Sequence, residues 1–201
     1  MNKGGLNKFN YSTNTFKTYK TVYETDNGTS GDWIRTILVS NKGEIWISTT
    51  EGVDLFNKKT GHFVNFYNDP QDSTSISYNG AITIFEDSRQ NIWFGTEGGL
   101  NYFVRDDSSF VYYREEDGLP DNSIKGICED LHGNLWLSSN KGLIKFIDGI
   151  SKPSEPVFEI LGASDGLQGD EFNRRSCFED EKGYLYFGGI HGFNVFHPDS
   201  L

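Results

Sequence analysis

The chain of 201 residues carries 29 acidic against 18 basic side chains, a formal charge of −11 that repels phosphate backbones and argues against nucleic acid as a partner. No stretch approaches the roughly 18 consecutive apolar residues that cross a bilayer, and Met1-Asn2-Lys3-Gly4-Gly5 lacks the apolar core of a secretory signal, so the sequence predicts a soluble chain with no address of its own. A hydrophobic content of 35% with 15% aromatic residues, 23 glycines and 4 tryptophans excludes a disordered chain and suits short strands in which apolar and polar residues alternate.

In chain order, the first strand signals are Gly5-Leu6-Asn7-Lys8-Phe9 and Thr15-Phe16-Lys17-Thr18-Tyr19. The first of these opens a phrase that returns as Gly52-Val53-Asp54-Leu55-Phe56, Gly99-Leu100-Asn101-Tyr102-Phe103, Gly142-Leu143-Ile144-Lys145-Phe146 and Gly192-Phe193-Asn194-Val195-Phe196, with glycines 47, 47, 43 and 50 residues apart. A second phrase precedes four of the copies: Gly43-Glu44-Ile45-Trp46-Ile47-Ser48, Gln90-Asn91-Ile92-Trp93-Phe94-Gly95, Gly133-Asn134-Leu135-Trp136-Leu137-Ser138 and Gly183-Tyr184-Leu185-Tyr186-Phe187-Gly188. Its aromatics are 47, 43 and 50 residues apart, so the two phrases keep step and mark a tandem β repeat.

Each full copy parses into an inner, a second, a third and an outer strand. The clearest runs Ala81-Ile82-Thr83-Ile84-Phe85-Glu86-Asp87, Asn91-Ile92-Trp93-Phe94-Gly95, Leu100-Asn101-Tyr102-Phe103-Val104 and Phe110-Val111-Tyr112-Tyr113-Arg114, with turn chemistry between them. Four short antiparallel strands make a propeller blade. The expected fold class is therefore all-β, with about four four-stranded antiparallel β-propeller blades in residues 1–201: a partial blade at 1–20, blades at 33–67, 81–114 and 124–161, and a closing blade at 172–198 without its outer strand. Two readings of the ends are open. Either Thr15 to Tyr19 completes the last blade and closes a four-bladed ring, or the chain is a fragment of a larger, seven-bladed array, which the surplus third strand favours. No helix of usable length is expected.

Cys128 and Cys177 fall on corresponding strands of successive repeats but one position apart, hence on opposite strand faces. A bridge is expected to need a register irregularity, and free buried thiols are the expectation.

The repeats resemble the two-component regulator propeller family. The carrying residues are the lead-in Asp117-Gly118-Leu119-Pro120-Asp121-Asn122, the aspartates Asp87, Asp130 and Asp180 before the glycine turns, and the second strand Trp93-Phe94-Gly95-Thr96. The stretch from Ser164 to Asn173, followed by Gly183 to Gly189 and Gly192 to Pro198, resembles the closing blade of the sensor region in hybrid two-component sensor histidine kinases of Bacteroides type. The resemblance implies a periplasmic location, a parent receptor with further propeller blades and downstream signalling domains including a histidine kinase, and an oligosaccharide or other small molecule as signal. Two seven-bladed rings are usual in that family, and this sequence carries about four blades.

Two readings compete for the Trp46, Trp93, Trp136 and Tyr186 series: a sugar-stacking ladder, or aromatic packing between neighbouring blades, which is favoured. Candidate ligand contacts are sought instead where the repeats diverge, in the loops entering the inner strands. These are Trp33 and Arg35, Tyr78 and Asn79, Asn122 and Lys125, and Asn173, Arg174 and Arg175, with Trp33 least explained by the repeat. Aromatic, amide and guanidinium groups together suit polyhydroxylated or acidic sugars. No catalytic residue, metal or cofactor is expected, since His62, His132, His191 and His197 fall in turns without a His-x-x-x-His pair and the carboxylate runs read as solvated loops. A non-catalytic ligand sensor is the leading reading. A propeller enzyme resembling streptogramin lyase and a purely structural scaffold, including one that holds a homodimer, are the alternatives.

Overall fold

A computed structural model describes residues 4–21 and 28–201; Met1, Asn2 and Lys3 of the expected partial blade lie outside them. The chain folds as β-propeller blades. Strands β1 (Leu6–Asn10) and β2 (Thr15–Tyr19) form a two-stranded antiparallel sheet. Three four-stranded antiparallel sheets follow, each in simple meander order. They are β3 (Ile34–Val39) to β6 (Phe63–Phe66) by way of β4 (Ile45–Thr49) and β5 (Val53–Phe56); β7 (Thr83–Glu86), β8 (Ile92–Thr96), β9 (Gly99–Val104) and β10 (Ser109–Tyr113); and β11 (Gly126–Glu129), β12 (Leu135–Ser138), β13 (Leu143–Phe146) and β14 (Phe158–Leu161). The last blade has three strands, β15 (Phe172–Glu179), β16 (Leu185–Gly189) and β17 (Gly192–Phe196). Strand β2 pairs with β1 and not with β17, so the last blade receives no outer strand from the N-terminal segment. Helical structure among the described residues is confined to single 3₁₀ turns at Glu115–Asp117, Ala163–Asp165 and Pro198–Ser200.

The repeated phrase is an instruction for stacking. Alternate residues of a strand point to opposite faces, so in Ile45-Trp46-Ile47 the tryptophan faces the following blade and the aliphatics the preceding one. Four apolar interfaces result. Tyr19 and Leu6 pack on Ile45, Ile47, Phe56 and Phe63; Trp46 and Val53 on Ile76, Ile92, Phe94 and Phe103; Trp93 and Leu100 on Leu135, Leu137, Ile144 and Phe146; Trp136 and Leu143 on Phe172, Leu185, Phe187 and Phe196. Trp46, Trp93 and Trp136 are wholly buried, which overturns the stacking-ladder reading for them: no sugar reaches their faces. On the last blade the equivalent face, with Phe178, Phe193 and Val195, is exposed.

The polar residues of the phrase hold the turns. Asp87 accepts from the Arg89 and Asn91 backbone N–H groups at 2.9 Å and from the Trp93 indole N–H at 2.8 Å. Asp130 repeats this with His132, Asn134 and Trp136, and Asp180 with Lys182, Tyr184 and the Tyr186 hydroxyl. At the far end of the second strand, Thr96 and Ser139 hydroxyls accept backbone N–H groups of the next turn. The glycine that follows is sterically required. Gly99 and Gly142 have φ of 127° and 98°, and a Cβ there would sit 2.2 and 2.1 Å from the carbonyl oxygens of Tyr113 and Leu161 on the outer strands.

Candidate functional site

The inner strands β3, β7, β11 and β15 stand side by side around the centre of the blades. Two of them are irregular. The register of β3 on β4 shifts between Ile34 and Thr36, and that of β15 on β16 between Phe172 and Cys177, whereas β7 and β11 pair without interruption. Such bulges re-aim side chains and are common beside functional sites. Arg35 sits within the first and Asn173, Arg174 and Arg175 within the second. Arg175 has φ of +56°, a left-handed conformation that a residue with a Cβ adopts at a cost of about 1–3 kcal/mol.

The two bulges face one another. The Arg175 guanidinium donates to the Arg35 carbonyl, joining the fourth inner strand to the first, while its backbone N–H donates to the Lys125 carbonyl at 2.8 Å. Arg35 Nη1 donates to the Gly80 carbonyl at 3.2 Å, and Arg174 pairs with the Glu97 carboxylate. Trp33, 59% exposed, completes a cavity of about 330 Å³ with Arg35, Thr50, Ile82, Arg174 and Arg175. Among the described residues no carboxylate pairs with Arg35 or Arg175, so these guanidiniums keep charge available to a visitor. An aromatic face, aliphatic and hydroxyl groups and three guanidiniums together can stack on a sugar ring and hydrogen-bond its hydroxyl, carboxylate or sulfate oxygens.

Four of the nine sequence candidates thus line one cavity: Trp33, Arg35, Arg174 and Arg175. The other five lie outside its lining. The Asn79 side chain accepts from the Asn68 backbone at 2.6 Å and Asn122 from Glu115 at 2.9 Å, both serving the connections between blades. Asn173 donates to the Gly189 carbonyl at 3.2 Å, Lys125 is buried with its ammonium 3.7 Å from Glu171, and Tyr78 is exposed. Sequence reasoning missed Thr50 and Ile82. Thr50 stands where the other copies carry Glu97, Asn140 and Ile190, directly after the small polar residue that closes the second strand, and this divergence was a readable signal.

The architecture is that of a β-propeller, shared at 15% identity and a TM-score of 0.61 with virginiamycin B lyase from Staphylococcus aureus, over 97% of this chain and 63% of the lyase. Residues 75–98 and 118–141 match the profile of the two-component regulator propeller. It superposes with a TM-score of 0.76 on the extracellular domain of a protein described as a hybrid two-component system from B. thetaiotaomicron, at 26% identity over 92% of this chain and 24% of that one. A stretch of 87 residues is 34% identical to a histidine kinase of Formosa agariphila, covering 43% of this chain and 6% of the kinase. The chain therefore spans a small part of the relatives it matches. Its fold is shared with the extracellular domain of that hybrid two-component system, and no helix among the described residues is long and apolar enough to cross a membrane.

Proposed function

We propose that this chain is a non-catalytic sensing module of a periplasmic receptor, which takes an oligosaccharide at the cavity of Trp33, Arg35, Arg174 and Arg175 and passes the signal to a histidine kinase of the parent protein. The observation that carries the reading is the pair of opposed bulges: two inner strands of four give up regular pairing, and one accepts a left-handed arginine, where three guanidiniums and an exposed tryptophan converge. A cost of that kind at a cavity is what a binding site requires and what a pure scaffold does not. The guanidinium excess in a chain of charge −11 favours saccharides bearing carboxylate or sulfate groups. The enzyme alternative asks for histidines at the channel; His132 instead bonds Asp199 at 2.6 Å, and no histidine lines the cavity.

Thermal unfolding with a panel of neutral and acidic host and plant oligosaccharides tests the reading, because a ligand at 100 times its Kd adds about 2.7 kcal/mol. Trp33→Ala is expected to weaken the responding sugar at least tenfold, about 1.4 kcal/mol, and to leave the ligand-free midpoint where it was, since this side chain is mostly in solvent. A panel that moves nothing, or a Trp33→Ala protein that responds like the parent, sinks the proposal.

A further inference from the structure

We infer that Cys128 and Cys177 are the two halves of an inter-blade disulfide, formed by exchange with a small-molecule disulfide such as oxidised glutathione. Cys128 lies on β11 opposite Trp136, and Cys177 on β15 opposite Phe187. Trp136 faces the following blade and Phe187 the preceding one, so both cysteines enter the same apolar interface from its two sides. The opposite strand faces that argued against a bridge are what bring the thiols together, because adjacent blades meet through opposite faces.

Local sequence narrows the gap. Gly126 shares a strand face with Cys128, and a Cβ placed there would lie 3.2 Å from the Cβ and 2.8 Å from the sulfur of Cys177. Only a residue without a side chain lets β15 approach this closely. The Cys177 thiol donates to the Ile127 carbonyl at 3.5 Å, which holds it over β11 between Gly126 and Cys128. The neighbouring Cys177 sulfur and burial push the Cys128 thiol above its ordinary range, while Cys128 beside it holds Cys177 below its own. Cys177 is also the less buried of the two, so it is the sulfur that ionises and meets solvent first.

The chemistry closes as two exchanges. The Cys177 thiolate attacks one sulfur of the glutathione disulfide, forming a mixed disulfide and expelling one glutathione thiolate. That thiolate takes up the proton lost by Cys128, whose sulfur then attacks the Cys177 sulfur and expels the second glutathione. Two protein thiols are oxidised and one glutathione disulfide is reduced to two thiols. The bond would tie β15, with Arg174 and Arg175, to the neighbouring blade. It suits the oxidising surroundings of extracellular domains such as the one this chain resembles.

The full chain, incubated with oxidised glutathione, quenched with an alkylating agent and digested, tests this. The expected product is a monomer lacking two hydrogens, with the Cys128 and Cys177 peptides linked, whose unfolding midpoint stands roughly 5–10 °C above that of the reduced protein. Cys128→Ser under the same oxidant is expected to stop at a glutathione adduct on Cys177. A native protein that keeps two alkylatable thiols, stops at the same adduct as the variant, or melts lower once linked overturns the inference.

Discussion

Replacing Trp136 by alanine is expected to cost roughly 3–5 kcal/mol of folding stability, a large share of the 5–15 kcal/mol that holds a typical domain folded. The indole is wholly buried where the third and fourth blades meet, its ring 5.0 Å from that of Phe196 and 5.4 Å from the Lys145 ammonium. Alanine would leave a cavity between blades whose sheets are fixed by their own hydrogen bonds and cannot collapse into it. It would also take a 2.8 Å donor from the buried Asp130 carboxylate, which keeps the Asn134 and His132 groups. Trp136→Phe retains most of the ring and loses that donor, so about 1–2 kcal/mol is expected for it. Tyr186→Ala, at the same repeat position on the blade whose outward face is uncovered, should cost clearly less than Trp136→Ala. Urea unfolding of the three variants checks the series. Equal losses at positions 136 and 186 would refute the claim that packing between blades, rather than the strand itself, sets the value of the aromatic.

The blades were legible because each feature of the phrase has one local physical cause. Alternation around Trp93 states which face meets which neighbour, Asp87 states the turn and its indole partner, and Gly99 states a backbone that only glycine adopts beside the Tyr113 carbonyl. What lay between blades was not. The irregularity adds one residue to β3 and three to β15 without a change of composition, so nothing around Arg35 or Arg175 announces a register shift. Candidate ligand residues chosen by divergence alone included Asn79 and Asn122, whose amides serve local backbone groups, because a sequence does not say which polar side chains the turns consume. Both cysteines are free thiols, as the sequence predicts, but their meeting in one interface was not legible, for a related reason. Counting faces within one sheet says nothing of how two sheets meet, and in stacked blades opposite faces are neighbours.

Asp54 carries the second large effect. Its carboxylate is fully buried on β5, accepting from the Ser30 backbone N–H at 3.0 Å and from the Asn65 amide at 2.7 Å, and burial outweighs these bonds so that its pKa is pushed up to about 6 from 3.8. A pKa raised by folding stabilises the native state only while the group is protonated. The contribution is full below pH 3.8 and disappears as the pH rises through 6, a change of roughly 3 kcal/mol. The next blade shows what the position prefers, for Asn101 occupies it, accepts from the Ser77 backbone N–H at 2.8 Å and donates to the Ser77 hydroxyl at 2.9 Å. Asp54→Asn is therefore expected to stabilise the protein by roughly 1–3 kcal/mol at pH 7 and to change little at pH 4, measured by urea unfolding at both values. The same gain at both would place the cause in hydrogen-bond geometry instead of charge burial. A loss at pH 7 would mean that the ionised carboxylate holds the Ser30 segment, and through it the approach to Trp33 and β3, more firmly than a neutral amide can.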